Sequence, residues 1–148
     1  MPPKKRDEKK EEEEAKPVED SGTYVFEDGS RYSGQVVRKE TLKRHGTGTQ
    51  SDPHTGMTYN GSWKDDMMHG DGIVTFPSGA TYSGTLYENK FDGKGLYKWP
   101  DGSWYEGQWR NSRMHGEGAY CDTKGEVWHG RFYNGTGPGL VGAPTVAN

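Results

Sequence analysis

A ring residue recurs every 23 residues through the middle of this chain, as Tyr59, Tyr82, Tyr105 and Trp128, and a glycine follows each two positions later, as Gly61, Gly84, Gly107 and Gly130. A period of this length means stacked copies of one supersecondary unit, so the fold is the unit plus the way its copies join. The copies 58–79, 81–102 and 104–125 align position by position, and a second glycine pair recurs in each as Gly70/Gly72, Gly93/Gly95 and Gly116/Gly118. An earlier copy holds Tyr32, Gly34, Gly46 and Gly48 with a longer loop. The segment 22–29 is a half-copy equivalent to 95–102, and the last copy keeps Gly137 and Gly139 with a shortened loop.

Within a copy the ring, the glycine and a large apolar residue stand at i, i+2 and i+4, as in Tyr105, Gly107 and Trp109, which is strand spacing. The return segment alternates likewise through Gly93, Gly95, Tyr97 and Trp99, and Asp28-Gly29, Ser78-Gly79 and Asp101-Gly102 supply turns. The expected fold is all-β: an elongated single-layer antiparallel meander of repeated β-hairpins. About ten short strands are predicted, near 23–26, 31–36, 47–50, 57–63, 72–76, 80–86, 95–99, 103–109, 118–121 and 126–132. Glycine weakens a strand unless the bare backbone is used, and here it makes room for a Tyr or Trp ring to lie flat across the sheet.

Composition seems at first to deny a core, because Leu, Ile, Val and Phe total only 17 of 148 residues. All 18 aromatic residues, however, fall between Tyr24 and Tyr133, so apolar area is concentrated in the repeats. Residues 1–21, with KKRDEKK and EEEE, are expected as a disordered charged tail, 22–137 as the repeat sheet and 138–148 as a C-terminal tail. The PKKR run at 3–6 is too short beside its acidic neighbours to mark a nuclear address. A net charge of −3 lacks the basic footprint of a nucleic-acid binder. The first residues lack the apolar run of a signal peptide, and no apolar run is long enough to span a bilayer, so a cytoplasmic location is expected. Cys121 is the only cysteine, and the Asn60 and Asn134 acceptor patterns read as turn residues.

The segments TYNGSW, TYSGTL, WYEGQW and VWHGRF, with HGDG, DGKG and HGEG, resemble the MORN (membrane occupation and recognition nexus) repeat, whose unit begins Y-x-G-x-W and later carries G-x-G. The resemblance covers about residues 22–139. It implies a groove-bearing scaffold, frequently in cilia, flagella and other cytoskeletal assemblies and sometimes at membranes, and it implies no catalysis.

Chemistry is sparse. His45, His69 and His115 share one place in their repeats, but equivalent residues two strands apart are separated by roughly 9–10 Å, and Asp92 replaces the histidine in one copy. One metal ion cannot span that distance, so these are read as turn histidines touching backbone or a ring, with no metal and no cofactor. Glu106 has no acidic counterpart in other copies, no catalytic residue is assigned, and Gly137, Gly139 and Gly142 match G-x-G-x-x-G without room for a phosphate-binding helix. The aromatic face remains. Tyr59, Trp63, Tyr82, Leu86, Trp99, Tyr105, Trp109 and Trp128 either only hold the sheet together or also line a groove for a partner helix or extended peptide. The favoured function is a non-enzymatic protein-binding adaptor, placed by the resemblance in an axoneme or related assembly. The alternative is a peripheral membrane adaptor in which Arg38, Lys39, Lys43 and Arg44 meet anionic phospholipid.

Overall fold

The computed structural model describes residues 18–135; the expected tail residues 1–17 and 138–148 lie outside them. Ten strands follow in sequence: β1 (Val18–Val25), β2 (Arg31–Arg38), β3 (Leu42–Ser51), β4 (Thr58–Lys64), β5 (Met67–Thr75), β6 (Thr81–Tyr87), β7 (Lys90–Lys98), β8 (Trp104–Arg110), β9 (Arg113–Cys121) and β10 (Val127–Phe132). They form one antiparallel sheet in the order β1 to β10, with no crossover. The predicted hairpin meander is therefore the observed fold.

Two boundaries differ from expectation. Return strands β5, β7 and β9 are nine residues long and β3 is ten, where four or five were expected. The hairpins close on two-residue turns at Asp65-Asp66, Glu88-Asn89 and Asn111-Ser112, all at positive φ, which is the type I′ geometry matching strand twist. His45, His69 and His115 consequently lie in strands, not turns. β1 begins at Val18, four residues before the expected start of the sheet, because β2 runs on to Arg38 and gives residues 18–21 a partner.

Register explains the glycines. Gly22, Gly34, Gly48, Gly61, Gly72, Gly84, Gly95, Gly107, Gly118 and Gly130 stand opposite one another across all nine strand pairs, an unbroken bare row. Beside it on the same face runs a row of mostly ring residues, Tyr24, Tyr32, Gln50, Tyr59, Val74, Tyr82, Tyr97, Tyr105, Tyr120 and Trp128. Each first-strand tyrosine lies across two glycines. A Cβ on Gly95 would sit 2.4 Å from the Tyr82 hydroxyl, and one on Gly118 would sit 2.5 Å from that of Tyr105.

Beyond the glycine row every hairpin is irregular in the same way. Between Gly107↔Gly118 and Trp109↔Met114 the return strand carries two more residues than its partner, and Gly116 at φ +94° takes up the excess. The tyrosine hydroxyl fills the gap this leaves. It donates to the carbonyl three residues on: Tyr32 to Gln35 (2.6 Å), Tyr59 to Ser62 (2.7 Å), Tyr82 to Thr85 (2.6 Å) and Tyr105 to Gln108 (2.8 Å). The Gln35 and Gln108 side chains in turn accept from the amides of Thr47 and Glu117. The tyrosine and glutamine bonds thus satisfy backbone groups that the irregularity takes out of the ladder, while His115 Nδ1 in the β9 stretch is buried without a partner among the described residues.

Adjacent hairpins are also stitched together. The second residue of each tight turn donates its amide to the carbonyl of the preceding hairpin, from Asp66 to Arg44, Asn89 to Met68, Ser112 to Phe91 and Gly135 to Met114. Trp63 and Trp109 add indole N–H bonds to the carbonyls of Gly48 and Gly95.

Candidate functional site

The eight residues expected to line a groove share one face, yet the sheet buries most of them. Tyr59, Trp63, Tyr82, Leu86, Tyr105 and Trp109 are all buried. They pack on one another: Tyr82 stacks on Phe91 at 3.8 Å, and Trp109 meets the edges of Tyr82 (5.5 Å) and Tyr105 (5.3 Å). A single layer therefore makes a core from its own rings, each ring filling the space a glycine leaves, and these six side chains hold the sheet rather than face solvent. Burial also pushes the phenols of Tyr32, Tyr59 and Tyr105 up to about 12 and raises that of Tyr82 further, so all are neutral and able to donate their hydrogen bonds.

Accessible aromatic surface lies at the C-terminal end of this face. Trp99, half-buried at the end of β7, meets Tyr120 of β9 at 5.9 Å, and Tyr120 lies nearly parallel to Trp128 of β10 at 6.0 Å. Trp128 is 39% exposed. Sequence reasoning had included Trp99 and Trp128 but missed Tyr120, which occupies the same row as Tyr97 and could have been found from that alignment. The opposite face is largely polar but carries exposed Ile73, with shallow depressions of about 500 and 430 Å³ following the glycine row past Glu106, Gln108 and Glu117 and past Asn60, Asp71 and Ile73.

The basic first loop divides. Arg44 is not a surface cation: its side chain is 13% exposed, its Nε lies 2.7 Å from Asp66 Oδ1, and its guanidinium sits 4.7 Å from the Phe26 ring and 4.8 Å from that of Trp63. Arginine's planar, weakly hydrated head suits that buried stacking, and the position is structural. Arg38, Lys39 and Lys43 are exposed. Lys39 and Lys43 share a cavity of about 450 Å³ with Glu19, Glu40 and Asp65, so carboxylates offset the cations there.

Two of the histidines make the ring contacts expected of them, His69 with Tyr87 at 5.0 Å and His115 with Tyr133 at 5.4 Å. Among the described residues no group of three or more histidine, cysteine, aspartate or glutamate side chains is placed to hold a metal ion.

Fold and site define a single-sheet β-repeat module whose distinguishing surface is aromatic. The MORN repeat family model matches residues 21–31, 59–81, 82–104 and 105–127, a little over half of the chain, and the protein belongs to the MORN repeat family. A search of curated proteins returns no match. The hairpin of β2 and β3 falls outside the matched segments, yet it repeats the tyrosine-to-carbonyl bond and the left-handed glycine at Gly46.

Proposed function

We propose that this protein is a non-enzymatic scaffold that binds a protein partner, a helix or an extended peptide, through the aromatic ladder Trp99–Tyr120–Trp128. The observation carrying this reading is that the ladder continues the buried ring row into solvent. Amphipathic rings with a rigid backing supply contact area at little entropic cost, and tryptophan and tyrosine dominate the centres of protein contact surfaces. Buried Tyr97, 4.9 Å from Trp99 and 6.0 Å from Trp109, ties the ladder to the buried rings. Family membership supports a binding and scaffolding role in general. A ciliary or flagellar axoneme, or a related cytoskeletal assembly in the cytoplasm, is the setting we propose on that resemblance. Anionic-lipid binding has less support, since Arg44 is committed to Asp66 and the remaining cations have carboxylate neighbours.

The test is affinity capture from cells with the intact protein, the variant Trp99→Ser, and a variant lacking residues 1–17. Loss of specific partners with Trp99→Ser, at unchanged circular dichroism, and their retention without the charged tail is the expected result. Retention by Trp99→Ser and loss on removal of the tail would move the binding site out of the sheet.

A further inference from the structure

Among the described residues the sheet runs between complementary halves of a repeat. β1 is a return strand, equivalent to β7, and β10 is a first strand, equivalent to β8; no described strand pairs with the outer edge of either. We propose that β10 of one molecule pairs with β1 of a second copy, so that a hairpin split between two chains continues the sheet head to tail.

The register of the interior hairpins fixes that of the junction. Gly107↔Gly118 becomes Gly130↔Gly22, Tyr105↔Tyr120 becomes Trp128↔Tyr24, Trp104↔Cys121 becomes Val127↔Val25, and Trp109↔Met114 becomes Phe132↔Val18. These four pairs set glycine against glycine or apolar against apolar, and Glu106↔Ala119 becomes the polar pair His129↔Thr23. Seven large hydrophobic residues are exposed among the described residues, and four of them, Val18, Val25, Val127 and Trp128, fall into these pairs. Exposed edges of this kind are templates for strand addition unless blunted. The glycine row ends in the same state: a Cβ on Gly130 would meet nothing within 4 Å, whereas one on Gly107 would lie 2.5 Å from the Gly118 Cα. Gly130 keeps the bare backbone that its equivalents use to admit a neighbouring strand.

Charge agrees with the pairing. Arg131 stands where Gln108 reaches into the irregular stretch of β9, and the corresponding stretch of β1 carries Glu19 and Asp20, both exposed. Asp20 takes the place of left-handed Gly116; it is not at positive φ in the single molecule, so the junction requires it to turn left-handed, a conformation that aspartate is among the few side chains to tolerate. Joining unlike edges is heterologous, so each added copy leaves one free edge of each kind and the product is a head-to-tail series, open unless the rotation per copy closes a ring.

Sedimentation velocity of the full chain over a wide concentration range tests the proposal. Expected are dimer, trimer and larger species growing with concentration. Gly130→Val, which meets open space in the single molecule, should leave the melting curve unchanged and weaken association by roughly 5- to 150-fold, the range for overpacking a close approach. In a Cys121→Ser background, Val127→Cys mixed with Val25→Cys should form a mixed disulfide, and neither alone should link as readily. Association unaffected by Gly130→Val, or absence of the mixed disulfide, overturns the proposal. So does a chain that stays monomeric at its highest soluble concentration, which would leave the β10 edge to the chain's own residues 136–148.

Discussion

Gly95→Ala puts one methyl group where Tyr82 lies against the backbone. The new Cβ would stand 2.4 Å from the Tyr82 hydroxyl and 2.5 Å from Cζ and Cε2 of the ring, far inside contact distance. The ring has nowhere to go: it stacks on Phe91, meets Trp109 edge-on, and its hydroxyl bonds the Thr85 carbonyl at 2.6 Å. Overpacking of this kind costs about 1–3 kcal/mol. Displacement of the hydroxyl strands the Thr85 carbonyl for about another 1–3 kcal/mol. Restriction of the unfolded chain returns only about 0.4–1 kcal/mol. The net expectation is a loss of roughly 1–6 kcal/mol, a large share of the 5–15 kcal/mol typical of a domain. Two controls separate sterics from conformation. Gly130→Ala adds a methyl in open space at ordinary φ and should be neutral or stabilising by up to about 1 kcal/mol. Gly102→Ala also has open space but sits at φ +91°, and should cost about 1–2 kcal/mol from the left-handed backbone alone. Urea titration followed by tryptophan fluorescence and circular dichroism measures all three, with a constant slope required for comparison. If Gly95→Ala unfolds at the same urea concentration as Gly130→Ala, rings over glycines are not what holds this sheet.

Alkaline pH should dissolve the sheet through the same tyrosines. Tyr32, Tyr59 and Tyr105 are raised to about 12 and Tyr82 beyond that, against about 10 in the unfolded chain, so the folded state holds the phenolic protons more tightly. Their stabilisation is intact below about pH 10 and is lost as pH rises from there through about 12, at up to about 1.4 kcal/mol per pH unit for each tyrosine. Urea midpoints between about pH 8 and pH 11 should be flat and then fall steeply, with tyrosinate absorbance appearing together with unfolding; a gradual titration of the folded protein near pH 10 would contradict the burial argument. Arg44→Ala should cost roughly 2–3 kcal/mol, below the 3–5 of a fully buried pair because Asp66 is 39% exposed, whereas Lys39→Ala and Lys43→Ala should stay within about 0.5 kcal/mol. Equal effects on thermal stability for all three would refute the assignment of Arg44 to the core.

Much of this fold was legible because a strand's two-residue period and a fixed repeat reinforce each other. Tyr105, Gly107 and Trp109 identify a strand face, and Asp101-Gly102 identifies a turn, from local chemistry alone. The tight turns at Asp65-Asp66 and Glu88-Asn89 were missed because neither contains the glycine that usually signals left-handed backbone, so strand residues 67–71 and 90–94 read as loop. Arg44 looked like its neighbours Lys39 and Lys43, since charge in a loop says nothing of the stacking partners Phe26 and Trp63 that lie 18 or more residues away in sequence. The site was the less legible part. Whether Trp109 or Trp128 faces solvent depends on whether a following strand brings another ring beside it, and only the spatial order of strands decides that. Trp109 is buried with β9 and Phe91 on either side, while Trp128 lies on the edge strand.

The stitching of each tight turn to the hairpin before it gives the molecule the character of a ruler. Ten strands at a spacing near 4.8 Å give a span on the order of 43 Å from first to last, and each 23-residue unit lengthens it by two strands, roughly 9–10 Å. Because the amide of Asn89 bonds Met68 just as that of Ser112 bonds Phe91, excising or duplicating residues 82–104 would leave the same bond at the new seam. Length can therefore change in whole steps with the backbone seam kept, while an insertion of any other size would slide rings off their glycines. Under the proposed scaffold role, the distance between bound partners is set by copy number, and selection can adjust it one unit at a time.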